Sequence, residues 1–475
     1  KPKRSLTISL KGTKEGDFTM VYGFPGRTQE YLTSDAVDMT MNIGDPAKVK
    51  LREARLNIME TYMKKSDQTR INYAARYASI ANYWKKWAGE MNGLKYSDAV
   101  NKKIAFQNKF IQLLSTDPIK QKEFSNVLNE FQTLYEEMKV LVKQIDYYNE
   151  CLMGIEAMQY LRSYLSLFNN FYAMKAGEKN SFNNELENYK KKESSLYSTY
   201  QIEMDKKICI EMLRQYDADI NKNFRPKVLD SLIIAYDSNY EKLTDKLYES
   251  NFFKPSEFRN LILNWETNYK KFENDLYFKV CDDVLNYYSY QVQPKLNEKN
   301  LRLNSLYAKY VKGLKETVKD RPFYPDANST LRIAYGKVKG YTPRDGVKFN
   351  YFTTLDGIFE KENTGNEDFK APEYLKTLYN KKDFGDYADK TDKKIHVAFI
   401  ASNHTTGGNS GSPVLNGNGE LIGTNFDRCW EGTMSDIMYN PEICRNIVLD
   451  VRYTLFVIDK YAGAGYLLKE MKIVR

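Results

Sequence analysis

Histidine is almost absent from this sequence: His396 and His404 are the only two in 475 residues. Cysteine is sparse as well. Its five positions, Cys151, Cys209, Cys281, Cys429 and Cys444, contain no CxxC pair, which excludes the usual redox and zinc motifs. The odd count argues against a fully disulfide-bonded framework. Free, buried thiols are the expected state, although Cys429 and Cys444 lie near the suspected site and could bridge. No apolar run approaches the roughly 18 residues needed to span a bilayer. Lys1-Pro2-Lys3-Arg4 leads into the strand-like SLTISL and not into an apolar signal sequence, so a processed or truncated product is expected. There is no RNP signature, zinc-finger spacing or arginine-rich block, and nucleic acid is not an expected partner. The net charge of +9, from 71 basic and 62 acidic residues, fits a solvated helical surface, with a basic site for an acidic ligand as the alternative.

Proline and glycine also thin out in the middle of the chain, and this divides it into three textures. Residues 1–45 read as short strands with Gly/Pro turns, as in KEGDFTMVYGFPGRT, where Phe18 to Tyr22 alternate like a half-buried strand. Residues 46–322 are rich in helix formers, Tyr and Phe. INYAARYASIANYWKKWAGEM repeats its apolar residues at helical spacing, and Thr116 or Asp117 before Pro118 marks a helix start, as do Pro255 or Ser256. No fixed-period repeat is present, so no solenoid is expected. Residues 323–475 return to strands and turns, including HVAFIAS, ELIGTNF and RNIVLDVRYTLFVIDKY, with a closing helix expected over YAGAGYLLKEMKIV. The resulting expectation is an α+β protein: a β domain carrying a large helical insertion.

One stretch carries chemistry. In Gly408-Asn409-Ser410-Gly411-Ser412-Pro413, Ser410 reads as a nucleophile, and the N–H groups of Gly408 and Ser410 as donors to a developing oxyanion. Gly411 and Pro413 fit a tight turn feeding the strand PVLN. Ser412 is the rival nucleophile, without the same glycine pattern before it. The bland reading is an ordinary Gly/Ser loop before a hairpin. Neither histidine makes a convincing base. His404 is six residues before Ser410 and would need the loop to double back, while His396 reads as a strand residue.

GNSGSPV is shared with the glutamyl endopeptidases. The longer TTGGNSGSPVLNGNGELIGTNFDRCWEGTMSDI, with RNIVLDVRYTLFVIDKYAGAG, KEGDFTMVYGFPGRTQEYLTS and YASIANYWKKW, resembles the bacterial dipeptidyl peptidases of types seven and eleven. The resemblance covers nearly the whole chain. It implies a chymotrypsin-like double β-barrel serine exopeptidase with an inserted α-helical lid over 46–322. Residues 1–45 would end the first barrel, and 323–475 would form the second barrel with a C-terminal helix. In this reading the base His and its orienting Asp lie before Lys1. Asp17 is then a turn residue, and the chain alone is inactive.

By the same resemblance, Arg428 would read an acidic side chain through its planar guanidinium, as in type eleven, whereas type seven has glycine there. Its bland reading is a surface arginine paired with Asp427 or Glu431. Asp427 and Asn82 would hold the substrate's free amine; a solvent-facing helix residue is the alternative for Asn82. The implied partners are peptides with a free N-terminus and a second copy of the chain. The implied location is the periplasm or surface of a Gram-negative bacterium, with neither metal nor cofactor. Two rival functions remain: a glutamyl endopeptidase, and a non-catalytic helical binding module on a protease fold. Asn328-Ser329-Thr330 and Asn403-His404-Thr405 match the glycosylation sequon as chance pairings.

Overall fold

The computed structural model describes residues 5–177, 181–366 and 369–475. The chain divides into two compact units. One joins Lys1–Val37, Gly89–Ile104 and Lys319–Arg475; the other joins Asp38–Ala88 and Ala105–Val318. The expected boundaries at 45/46 and 322/323 are close to two of these divisions, but Gly89–Ile104 groups with the strands. The reason is local. On the long helix Asp67–Tyr96, Gly89 and Gly93 face the turn Trp430–Asp436, where a Cβ would meet Thr433 Oγ1 at 2.8 Å and Met434 Sδ at 2.9 Å. Two glycines four apart share a helix face and let the backbone approach closely.

The first unit is built on a nine-stranded sheet. Its strands are β1 (Ile8–Ser9), β2 (Phe18–Gly23), β3 (Arg332–Lys337), β6 (Phe352–Thr354), β7 (His396–Ala401), β8 (Ser412–Leu415), β9 (Leu421–Arg428), β10 (Asn446–Asp450) and β11 (Ile473–Val474). A separate hairpin pairs β4 (Tyr341–Arg344) with β5 (Val347–Phe349). The order is β3-β2-β8-β9-β10-β7-β6, with β1 alongside β9 and β11. β2 is the strand expected to end a separate first barrel. Instead it lies between β3, from Phe18↔Lys337 to Gly23↔Arg332, and β8, at Met20↔Leu415 and Val21↔Val414. The Val338–Ala401 bridge and the Ser402 N–H bond to Lys337 O at 2.9 Å join the far ends of β3 and β7 and curl the sheet. Val21, Val338, Phe399, Val414, Ile422 and Val448 fill its inside. Strand alternation puts Phe18 and Tyr22 on the outside.

Two sequence expectations change here. DVRYTLF is helical over Val451–Phe456, because the Asp450 carboxylate accepts the Arg452 N–H at 2.8 Å and caps the helix. The expected closing helix is a 3₁₀ segment, Gly465–Glu470, followed by β11.

The second unit is helical, with a core dominated by Tyr, Phe and Leu. The start at 117–118 is as read: Asp117 caps the helix Pro118–Phe124, accepting from the N–H groups of Ile119 and Lys120. Another helix begins at Pro255. Val127–Tyr147 buries Val127, Phe131, Leu134, Met138 and Leu141 on one face, each large side chain contributing about 1.5–3 kcal/mol. The apolar stripe expected on INYAARYASIANYW is less buried: Ile71 is 64% and Tyr83 53% exposed, with Tyr83 packed on Trp87 under the guanidinium of Arg52. Inside this unit, Glu150 receives Arg52 and Arg55, and buried Asp205 caps the helix Glu156–Lys175. Burial pushes the Asp205 carboxyl up to about 6. Among the described residues no helix is long and apolar enough to cross a membrane.

Candidate active site

The turn 405–411 hangs between β7 and β8. Gly408 has φ +103°, and a Cβ there would stand 2.4 Å from Phe24 O, so only glycine fits. Buried Asn409 closes the turn. Its side chain accepts the Thr406 N–H at 3.1 Å, and its own N–H donates to Thr406 O at 3.1 Å. Gly411 N–H donates to Asn425 O at 2.8 Å, and Ser410 Oγ donates to Phe426 O at 3.1 Å, which seats the turn on β9. Ser410 is exposed, and the N–H groups of Gly408 and Ser410 have no acceptor among the described residues. Ser412, the rival, is 7% exposed and its hydroxyl is packed against Gly23.

Neither histidine bonds to Ser410. His396 is buried, stacked on Phe352 at 3.9 Å, with Nε2 2.9 Å from Asp392 Oδ2. Asp389, Asp392 and His396 offer ligand atoms within 4.8 Å of one another. The donor set is already committed: Arg452 binds Asp389 Oδ2 and the Thr391 N–H binds Asp389 Oδ1, both at 2.8 Å. This guanidinium pulls the Asp389 carboxyl down to about 2 against the opposing effect of burial. His404 Nε2 lies 2.7 Å from Ser435 O.

Arg428 ends β9, two residues beyond the carbonyl that accepts the Ser410 hydroxyl. It is paired, but with Asp436, and not with Asp427 or Glu431. Nη1 and Nη2 meet the two carboxylate oxygens at 2.7 and 2.9 Å, and Nη1 also meets Ser435 Oγ at 2.8 Å. Three of the five guanidinium donors are used this way. The Nε–H and the second Nη2–H, which form the other flat edge of the fork, have no hydrogen-bond partner among the described residues, while the buried Glu90 carboxylate acts on the guanidinium through its charge. Burial works against the charge, but the Asp436 bonds outweigh it and hold Arg428 firmly protonated. Asp427 is exposed; its Oδ1 accepts the Arg428 N–H at 2.8 Å, and its other oxygen has no partner among the described residues. Asn82 is exposed on the helix Asp67–Tyr96, within the helical unit.

Several supporting residues carried no legible signal. Four buried asparagines link the strands beneath the turn. Asn446 Nδ2 donates to Asn425 Oδ1 at 2.9 Å, Asn425 Nδ2 to Asn409 O at 3.2 Å, and Asn403 N–H to Asn446 Oδ1 at 3.3 Å. Asn403 thus belongs to the core, which rules out the sequon reading there. Ser435 and Asp436 carry no such signal either, because a polar pair in a short turn has no periodicity. All five cysteines are free, four of them buried and Cys429 partly so.

The chain is 41% identical over 475 residues to an Asp/Glu-specific dipeptidyl-peptidase of Flavobacterium psychrophilum, covering all of this chain and 65% of that protein. It is 34% identical to dipeptidyl-peptidase 7 of Phocaeicola vulgatus, again covering 65% of the relative. The chain therefore spans about two-thirds of the length of these relatives. The crystal structure of Porphyromonas endodontalis DPP11 in complex with the dipeptide Arg-Glu matches with a TM-score of 0.86 at 30% identity, covering 100% of this chain and 67% of that one. Residues 1–473 match Peptidase S46, and the chain belongs to that peptidase family.

Proposed function

We propose that this chain carries the nucleophile and specificity pocket of a serine exopeptidase that releases N-terminal dipeptides ending in Asp or Glu. One observation carries the reading: β9 binds the Ser410 hydroxyl at Phe426 and, about 7 Å further along the strand, carries an arginine whose Nε–H and second Nη2–H have no hydrogen-bond partner among the described residues. A carboxylate on that edge forms a charge-assisted fork worth about 1.5–3 kcal/mol, a preference of roughly ten- to hundredfold over a neutral side chain. The names of the relatives support the same specificity.

In this reading Ser410 Oγ attacks the second peptide carbonyl. The oxyanion forms at the unpaired N–H groups of Gly408 and Ser410; it collapses by breaking the scissile C–N bond, the rest of the peptide leaves as an amine that takes up the proton, and water then hydrolyses the Ser410 ester, releasing the dipeptide and restoring the hydroxyl. Asp427 holds the substrate amine through its free oxygen. The Ser410 proton needs a base, and both histidines are committed elsewhere, so the 475-residue chain alone is expected to be inactive. The curled sheet is then the nucleophile-bearing barrel of a chymotrypsin-like pair. The apolar side chains Phe18, Tyr22, Phe24, Ile333 and Tyr335, 44–75% exposed on its outer face, support a covering partner. A homodimer in the periplasm or at the cell surface follows from the family resemblance.

The test compares the full natural polypeptide on Xaa-Glu-linked peptides with free and acetylated N-termini. Dipeptide release from the free form alone, abolished in Ser410→Ala, is expected; equal cleavage of both forms would refute the exopeptidase reading.

A further inference from the structure

The turn that holds Arg428 is itself held from the nucleophile loop. Ser435 and Asp436 close the 3₁₀ segment Trp430–Asp436, and their carbonyls have no helical partner; Gln29 N–H holds Asp436 O at 2.6 Å. His404, six residues before Ser410, satisfies one of them: its Nε2 is 2.7 Å from Ser435 O. A carbonyl only accepts, so Nε2 carries the proton and the tautomer is fixed. The ring packs 4.9 Å from Tyr439, and the Tyr439 hydroxyl donates back to Ser402 O at 2.7 Å. Segments 402–404 and 435–439 are thus joined by two reciprocal hydrogen bonds. Ser435 and Asp436 in turn take three of the guanidinium donors of Arg428. The other side of the turn rests on Gly89 and Gly93.

We propose that His404 is a positioning residue for the specificity pocket: by holding the Ser435 carbonyl, next to Asp436, it fixes the edge that Arg428 presents to an acidic substrate side chain. The role rests on Arg428 as the acid-reading residue, and it differs from that of a base, which would need a bond to Ser410. The imidazole aligns the reader with the nucleophile because it sits on the nucleophile's own loop.

The test measures the kcat/KM ratio for dipeptide substrates ending in Glu against Gln, on the full natural polypeptide, for His404→Ala, His404→Gln, Arg428→Gly and the His404→Ala/Arg428→Gly double variant. His404→Ala is expected to lower the Glu:Gln ratio about tenfold, mainly through KM. His404→Gln, whose amide N–H can reach the same carbonyl, should restore most of it. In the Arg428→Gly background, His404→Ala should not move the ratio further. Fluorophosphonate labelling of Ser410 should persist in His404→Ala. An Arg428-dependent ratio that His404→Ala leaves intact would overturn the proposal, as would labelling lost in both His404 variants, the mark of a base. A ratio unaffected by Arg428→Gly would overturn the pocket reading and this role with it. Should His404→Ala not fold, Tyr439→Phe removes the reciprocal bond; a lowered ratio supports the clasp, and an unchanged ratio overturns it.

Discussion

At Gly408 the backbone, and not the side chain, decides what the site can do. The φ of +103° aims the turn, and Phe24 O lies where a Cβ would be. Gly408→Ala is therefore expected to cost on the order of 2 kcal/mol in folding, from strain and collision. It should also lower kcat about 10²–10³-fold by displacing an oxyanion donor. Chemical denaturation and steady-state kinetics on the active polypeptide check the two effects separately. This glycine was readable because the whole turn lies in six consecutive residues. The partner of Arg428 was not. Asp436 is eight residues away across a 3₁₀ segment, and no spacing rule favours it over Asp427 or Glu431. Likewise, Asn403, Asn409, Asn425 and Asn446 look like loop polars until the strands bring them together as one buried network.

At the scale of elements, helix starts were legible where chemistry marks them, as at Asp117-Pro118. Val451–Phe456 was not, since its Val, Tyr and Phe content favours a strand and only the Asp450 cap and buried Arg452 reverse that preference. The helix Val127–Tyr147 carries a further consequence. Burial, and then Asp45 and Glu150, push the Asp146 carboxyl up to about 7 against the pull of Lys48, and its Oδ2 has no hydrogen-bond partner. A carboxyl raised in the folded state loses its proton first from the unfolded chain. Its effect on stability is therefore absent at pH 3.8 and below, grows unfavourable as pH rises, and is complete above about 7. Asp146→Asn is expected to stabilise the helical unit by about 1–3 kcal/mol at pH 8, with the gain fading toward pH 4. Urea melts at both pH values check this, and an equal gain at both would contradict it.

Over the whole molecule, the sequence separated strand-rich ends from a helical middle, and the two compact units keep that division apart from Gly89–Ile104. Strand partners were less accessible. β2 alternates cleanly, but alternation identifies a buried face and not a neighbour, and its partners β3 and β8 lie more than 300 residues away. The outward face of β2 and β3 leads to another expectation. With Tyr335 at 75% and Phe24 at 57% exposure, the 475-residue chain should bind a fluorescent apolar dye such as ANS more strongly than its Phe24→Ser/Tyr335→Ser variant. Equal binding would remove the support for a covering partner.

The central claim is that Ser410 and Arg428 form one acid-selective site, and the most direct measurement is the Glu:Gln ratio of kcat/KM for dipeptide release by the full natural polypeptide, with and without Arg428→Gly. The expected result is a wild-type preference for Glu of at least about tenfold that disappears or inverts in the variant; a Glu preference that survives Arg428→Gly would contradict the account.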